Sequence, residues 1–280
     1  MAALRCLLRQ DYPNFHLELI DAASTDGKLG QLRETFPDLD VRCLPQNMGY
    51  TGGNNTALRR GLAEGYDYVL LANPDIEVGQ DALSRLVATA EADPHSGVAG
   101  GWEKCFYTGA ERALGGRAFS LWRGRAKWIT GLEGRDNARG AVAFVHGAFV
   151  LFSRRALEKD IFFDEQLFLY YDEADLGFQL KNQGLKAWVD PQVAIRHKNK
   201  VKHFNAVVEY FLQRNRLYMV RKHGAWFHRF FFGAYILFFE LPLKFVWRGF
   251  QGRSAFLRAC ALGFWDGFRG QMGSGRLGQL

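Results

Sequence analysis

An α/β chain built on an open, mostly parallel sheet and closed by a helical tail is predicted by three observations. Helix-like and strand-like segments alternate over residues 1–100, a βαβα rhythm that implies mainly parallel strands. Tyr68 to Ala72 reads as a buried strand, and the turn after it delivers Asp75 at the strand's carboxyl end, the edge at which open α/β sheets bind ligands. Beyond residue 203 the chain becomes basic, aromatic and helix-patterned.

In chain order, Leu4 to Arg9 reads as the end of a helix and Phe15 to Ile20 as a strand. Leu29 to Phe36 has helical spacing, Val41 to Leu44 is a short strand, and Thr56 to Glu64 is a helix. Asp81 to Ala92 is helical and Val98 to Trp102 strand-like. Residues 103–140 are rich in Gly and Arg with weak periodicity and read as a long functional loop. Ala141 to Ser153 is strand-like, Glu173 to Asn182 a helix and Ala187 to Val189 a short strand. His203 to His223 is an amphipathic helix with Val207, Tyr210, Phe211, Leu217 and Val220 on its apolar side. Phe230 to Trp247 is strongly apolar, yet Glu240, Pro242 and Lys244 interrupt it. A spanning helix needs about 20 apolar residues, so a helix lying in a membrane interface fits better, with a dimer interface or core helix as the alternative.

At 280 residues and 48% hydrophobic content, the chain fits one large domain plus a tail: residues 1–202 as the catalytic unit, 203–280 as the tail. Cys6, Cys43, Cys105 and Cys260 lack CxxC spacing. That argues against a zinc site or a disulfide framework and fits a reducing compartment. Met1 to Gln10 carries no apolar core of a signal peptide. Of the +7 net charge, the excess lies late: Arg196 to Arg258 holds thirteen cations, including Arg214 and Arg216, against Glu209 and Glu240. Such asymmetry points to an anionic surface, membrane or nucleic acid. No finger, helix-turn-helix or RNA-binding signature supports nucleic acid, and the tail's aromatics cluster rather than alternate.

The motifs follow in a telling order: Gln10-Asp11-Tyr12-Pro13-Asn14, then Asp21 through Gly27, Asn47 through Asn55, and Asn73-Pro74-Asp75. After these come His146-Gly147-Ala148, Phe163-Asp164-Glu165, Asp172-Glu173-Ala174-Asp175-Leu176, and Pro191 with His197. Over about Leu4 to His223 this resembles the family 2 glycosyltransferases of the GT-A fold, especially their bacterial rhamnosyltransferase-like branch. The resemblance implies a Rossmann-like GT-A sheet flanked by helices, and transfer of a sugar from a nucleoside diphosphate to a hydroxyl. That family begins with a strand carrying the first nucleotide contacts; this sequence opens within the helix that follows it, and Ala22 stands where Asn is frequent.

In this reaction the leaving diphosphate gains negative charge, which a divalent cation held by hard ligands can neutralise. The resemblance assigns Asp75 and His197 to that cation. Imidazole with carboxylate suits Mn2+ at least as well as Mg2+. Asn73, before Asp75, is neutral and equally a turn residue. The acceptor hydroxyl must lose a proton, and Glu173 matches the family's base. Asp172 and Asp175 are its neighbours; on a helix they share one face, and Glu173 points about 100° away. One base and no visible nucleophile imply a single displacement with inversion. Asp21, Ser24 and Asp26 are expected to contact the nucleotide. Asn47, Gly49, Gly52 and Gly53 are read as a flexible loop that approaches it closely. Gly147 and Ala148 would leave room for sugar or acceptor, with close backbone packing as the rival account. Arg112, Arg117, Arg123, Arg125, Lys127 and Arg135 could meet a pyrophosphate-linked lipid.

The expected partners are a dTDP-, UDP- or GDP-linked sugar, a glycan or lipid-linked saccharide acceptor and a membrane surface, with no nucleic acid; a homo-oligomer stays open. The expected location is cytoplasmic, on the inner face of the cell membrane. The alternative is a non-catalytic nucleotide-sugar-binding or scaffold member of the family, motivated by Ala22 and the opening of the sequence.

Overall fold

A computed structural model describes residues 1–130, 139–198, 205–250, 254–276 and 278. The first half contains α1 (Ala2–Leu7), β1 (Glu18–Asp21), α2 (Lys28–Thr35), β2 (Asp40–Cys43), α3 (Gly49–Ala63), β3 (Tyr68–Ala72), β4 (Ile76–Glu77), α4 (Ala82–Glu91) and β5 (Ser96–Cys105). Next come β6 (Glu111–Ala113), β7 (Gly115–Ser120), β8 (Arg125–Ile129), β9 (Gly140–Val142), β10 (Phe149–Ser153), α5 (Arg154–Glu158), α6 (Asp172–Asn182) and β11 (Lys186–His197). The tail comprises α7 (Ala206–His223), α8 (Trp226–Tyr235), a π-helical turn (Ile236–Glu240), α9 (Leu241–Phe250) and α10 (Ser254–Arg269).

β3, β10, β5, β11 and β4 lie side by side in that order, with β6 added to β5 and β9 to β11. β11 runs parallel to β5, whereas β10 is antiparallel to both its neighbours, β3 and β5. The sheet is therefore mixed, where the βαβα rhythm predicts a mostly parallel one. That rhythm constrains only the segments up to β5; the apolar run Phe149–Ser153 carries no direction of its own. β1 and β2 form a separate parallel pair.

The insertion of β10 decides where the chemistry sits. Phe149 pairs with Ala72, so the start of β10 lies beside the end of β3, and the Asn73 N–H donates to the Ala148 carbonyl (2.8 Å). His197, at the end of β11, pairs with Cys105 and with Ile76 of β4. Four sequence-distant segments thus converge at one sheet edge. β5 and β10 are buried along nearly their whole length. Leu58, Leu157, Leu176 and Leu180 pack in one apolar cluster, and Leu83, Leu86 and Val87 of α4 in another.

Several local expectations are corrected. The segment read as a Gly/Asn loop is the first turn of α3, which starts at Gly49. Gly49 has φ +72°, and a Cβ there would lie 2.5 Å from the Phe168 carbonyl oxygen, so close approach rather than mobility explains this glycine. Residues 103–130 are not a loop: β5 runs on to Cys105, and β7 and β8 form an antiparallel hairpin. Its double glycine and its cations hide the alternation. The run Ala141–Ser153 breaks between β9 and β10, and the short strand at 187–189 belongs to the twelve-residue β11. Arg135, Lys200, Lys202 and His203 lie outside the described residues.

In the tail, Tyr210, Phe211, Leu217 and Val220 are buried as expected, but so are Arg214, Asn215 and Arg216. The two arginines therefore do not belong to the surface charge. α10 approaches α7 through Gly263 and Gly267, where a Cβ would come within 2.5 Å of the Tyr210 carbonyl oxygen and 2.9 Å of that of Arg214. No described helix is long and apolar enough to cross a membrane.

Candidate active site

A cleft of about 770 Å³ opens at the convergent sheet edge, lined among others by Asn73, Asp75, Glu103, Arg125, Trp128, His146, Gly147, Asp172, Glu173 and His197. On its sheet side the end of β11 turns the His197 ring between two carboxylates. Nδ1 lies 2.9 Å from Glu103 Oε1 and Nε2 3.0 Å from Asp75 Oδ1. Burial pushes the His197 imidazole down, but Glu103 and Asp75 together raise it above its ordinary value. Glu103 is buried and is bonded on its other oxygen by His146 Nε2 (3.1 Å). Burial pushes its carboxyl up; His197, His146 and Arg112 outweigh that and hold it low. Ligand-type atoms of Glu103, His146 and His197 lie within 4.8 Å of one another, close enough to share one ion. The side chain of Asp75 is half exposed, facing the cleft.

Glu103 and His146 are functional candidates the sequence reading missed. The readable sign was a charged residue inside a buried apolar strand, and a His within an already noted motif. What no pattern supplies is the β5–β11 register that brings Glu103 to His197.

Opposite, α6 presents the acids. Glu173 Oε1 accepts the Gly147 N–H (3.3 Å), and the Tyr50 hydroxyl donates to the Gly147 carbonyl (2.6 Å). A Cβ on Gly147 would sit 2.7 Å from that hydroxyl and 3.2 Å from Glu173, so the glycine makes room for these two side chains. Asp172 is buried, and burial together with the neighbouring Glu173 charge pushes its carboxyl well up. Asp175 does not line the cleft. It accepts from Gln179 (2.7 Å) and is held by His223 and Lys222 of α7 (2.7 Å each), which keep it ionised despite burial.

The lead into α6 is strained. Phe168, Tyr170 and Tyr171 all have positive φ (61°, 72° and 66°), a region that bulky residues rarely enter. α7 holds them there. Asn215 Nδ2 donates to the carbonyls of Leu167, Leu169 and Tyr170 (2.8–3.0 Å), and Arg214 Nη2 donates to that of Leu167 (2.9 Å). Arg216 forms a two-pronged pair with Glu240 (2.6 and 2.8 Å) while donating to the carbonyls of Arg123 and Gly124 in the β7–β8 turn. One buried row on α7 thus fixes the acidic helix, the hairpin and the end of the π-helical turn.

Of the expected donor-side residues, Asn73 and Gly147 line the cleft; Asp21, Ser24, Asp26, Asn47, Gly49 and Gly53 do not. Asp21 accepts from the Ser24 N–H at the end of β1, and Asp26 pairs with Lys28.

The family model for glycosyl transferase family 2 matches residues 2–161, more than half of the chain. An N-acetylglucosaminyl-diphospho-decaprenol L-rhamnosyltransferase of Mycobacterium tuberculosis is 29% identical over 208 residues, covering 64% of this chain and 66% of the relative. A low-salt glycan biosynthesis hexosyltransferase of Haloferax volcanii is 24% identical over 150 residues, 50% of this chain and 45% of the relative. Among solved structures, a mannosyltransferase of Pyrobaculum calidifontis in complex with GDP-Man and Mn2+ aligns over 93% of this chain and 81% of its own, with 19% identity and a TM-score of 0.52. GalNAc-T7 with UDP, GalNAc and Mn2+ aligns over 71% and 40%, with 12% identity and a TM-score of 0.59. The structural likenesses establish a GT-A-like α/β fold, and the family match over more than half of its length shows that the chain belongs to glycosyl transferase family 2.

Proposed function

We propose that this protein transfers a sugar from a nucleoside diphosphate to a hydroxyl of a glycan or lipid-linked saccharide, with inversion at the anomeric carbon. The observation that carries this reading is the shared cleft: the Asp75–His197 pair lies on one side and Glu173 on the other. The residues suit a divalent cation, since Asp75 offers a half-exposed carboxylate beside imidazole nitrogens and the carboxylate of Glu103. Asp75 and His197 would hold it, with Mn2+ favoured by the imidazoles and by the Mn2+ in the two structural relatives. A bound cation would neutralise charge on the leaving diphosphate.

The protein's own groups do the rest. Glu103 fixes the His197 ring through Nδ1 and leaves Nε2 facing Asp75. Glu173 accepts the proton of the acceptor hydroxyl. Burial and the neighbouring carboxylate push the Asp172 carboxyl well up, which disfavours its charged form beside Glu173. Asp175 acts at a distance, by fastening α6 to α7. Asn73 and Gly147 meet the donor within the cleft; a nucleotide role for Asp21, Ser24, Asp26, Asn47, Gly49 and Gly53, which lie outside it, rests on the family resemblance alone. Residues 1–202 carry these groups, and 203–280 support and place them.

The test is a panel of dTDP-, UDP- and GDP-sugars with and without Mn2+, rhamnose first because of the mycobacterial relative. Asp75→Ala is expected to weaken metal-dependent donor binding. Glu173→Gln is expected to keep binding and lower turnover by roughly 10²–10⁴-fold. Donor binding without any turnover of the wild type would favour the non-catalytic reading, and no binding at all would refute both.

A further inference from the structure

The face of the tail that turns away from α7 is strongly apolar. Along α8 and the π-helical turn the buried residues are Phe232, Ile236 and Glu240, spaced by four, and the wider π turn keeps Glu240 on Arg216. Pro242 follows at once; it cannot donate to the carbonyl four residues back, which favours such a local irregularity. Outward stand Trp226 (76% exposed), Phe230 (66%), Phe231 (53%), Phe238 (69%) and Phe239 (62%). Trp122, at the tip of the β7–β8 hairpin and 52% exposed, packs beside them, its ring 6.0 Å from that of Phe231. Apolar surface of this extent on one side of a protein marks an interaction site.

Charge identifies the occupant. Residues 115–130 hold Arg117, Arg123, Arg125 and Lys127 and no acid. In the tail, all acids among the described residues are consumed internally: Glu209 by Gln213 and Lys244, Glu240 by Arg216, Lys244 and the hairpin's Arg125, Asp266 by Tyr210 and Arg276. Arg229 and Arg258 remain exposed, and Arg269 lies over the Trp265 ring. Exposed aromatics on a tail whose described acids are all paired inside, beside a hairpin that holds cations and no acid, are the pattern of a helix lying in an anionic lipid interface. Exposed rings at adjacent positions such as Phe238 and Phe239 suit insertion into acyl chains better than stacking on bases.

We propose that α8, the π-helical turn, the start of α9 and the hairpin tip form a docking surface for an anionic lipid bilayer, on which the protein lies without crossing it. The hairpin makes this consequential for the cleft. Trp122 would sit in the interface while Arg125 and Trp128 line the cleft, at most about 20 Å along an extended strand. The cleft would then face a lipid-linked acceptor at the membrane surface. The docking itself is independent of the transferase reading.

The experiment is flotation of the full chain with vesicles of phosphatidylcholine, alone or mixed with phosphatidylglycerol, at low and high salt. Binding to the anionic vesicles, reduced by salt and lowered at least tenfold in Phe238→Ser/Phe239→Ser, is expected. Trp122→Ser is a second variant on a different element and is expected to act in the same direction. Unchanged Tm and donor binding in both variants would separate loss of docking from loss of fold or of the cleft. Three results would overturn the proposal: equal binding by wild type and both variants, wild-type dimers that the variants dissociate with no vesicle binding, or retention by a DNA duplex but not by vesicles.

Discussion

The two walls of the cleft are built in opposite ways. On the sheet side, Asp75, Glu103 and His197 stand at the ends of paired strands, and the ladders that place them are also core. On the facing side, Glu173 follows a segment with three left-handed aromatic residues that stays in place through Asn215 and Arg214 of a distant helix. One wall is preorganised by the fold and the other by the tail. Their failures should therefore separate: damage to the tail should reach Glu173 and spare Asp75 and His197.

The largest effect should come from Glu240→Gln, which leaves Arg216 buried without its carboxylate. Breaking a buried pair of this kind costs about 3–5 kcal/mol, read as a lower midpoint in urea unfolding. Its pH dependence has a defined sign. Burial pushes the Glu240 carboxyl up, but Arg216 and Lys244 more than offset this and hold it at about 2, against an ordinary 4.5. The stabilisation is therefore complete above about pH 4.5 and is lost as pH falls toward 2, about 3 kcal/mol in all. Wild type should lose that increment on acidification and the variant should not.

Asn215→Ala comes next. Freeing the carbonyls of Leu167, Leu169 and Tyr170 should cost about 2–4 kcal/mol. By displacing Glu173 it should also lower turnover by roughly 10²-fold, with Mn2+ affinity in a paramagnetic resonance titration unchanged. Equal losses on both readouts would break the comparison. The mirror experiment is Glu103→Gln, which is expected to weaken Mn2+ by about 10–100-fold while turnover at saturating Mn2+ stays near wild type.

The difference between the walls also explains what could be read in advance. Asp75, Glu173 and His197 stand in recognisable local motifs, so they could be picked as candidates in advance, and the structure brings all three to one cleft. Glu103 and His146 were not, because a β-ladder joins positions 94 residues apart in the case of Glu103 and His197. Arg214 and Arg216 were counted as surface charge, since on a helix a cation usually faces water. Their partners are mostly backbone carbonyls, which have no signature in a sequence. The direction of β10 escaped for a similar reason: an apolar strand reads the same both ways. At Gly49 the low helix propensity of glycine was overridden by packing against Phe168.

The clamp by Asn215 has a consequence for exchange with solvent. Left-handed residues at 168, 170 and 171 each carry a backbone cost of order 1–3 kcal/mol, so once α7 lets go they have no reason to stay. The amide protons of Leu167 through Asp175 and those of α7 should then be released to deuterium as one cooperative unit, with one opening free energy. The strand-borne wall should keep its own slower clock, and a mass spectrum of exchanging peptides would show the two sides of a single cleft ageing at different rates.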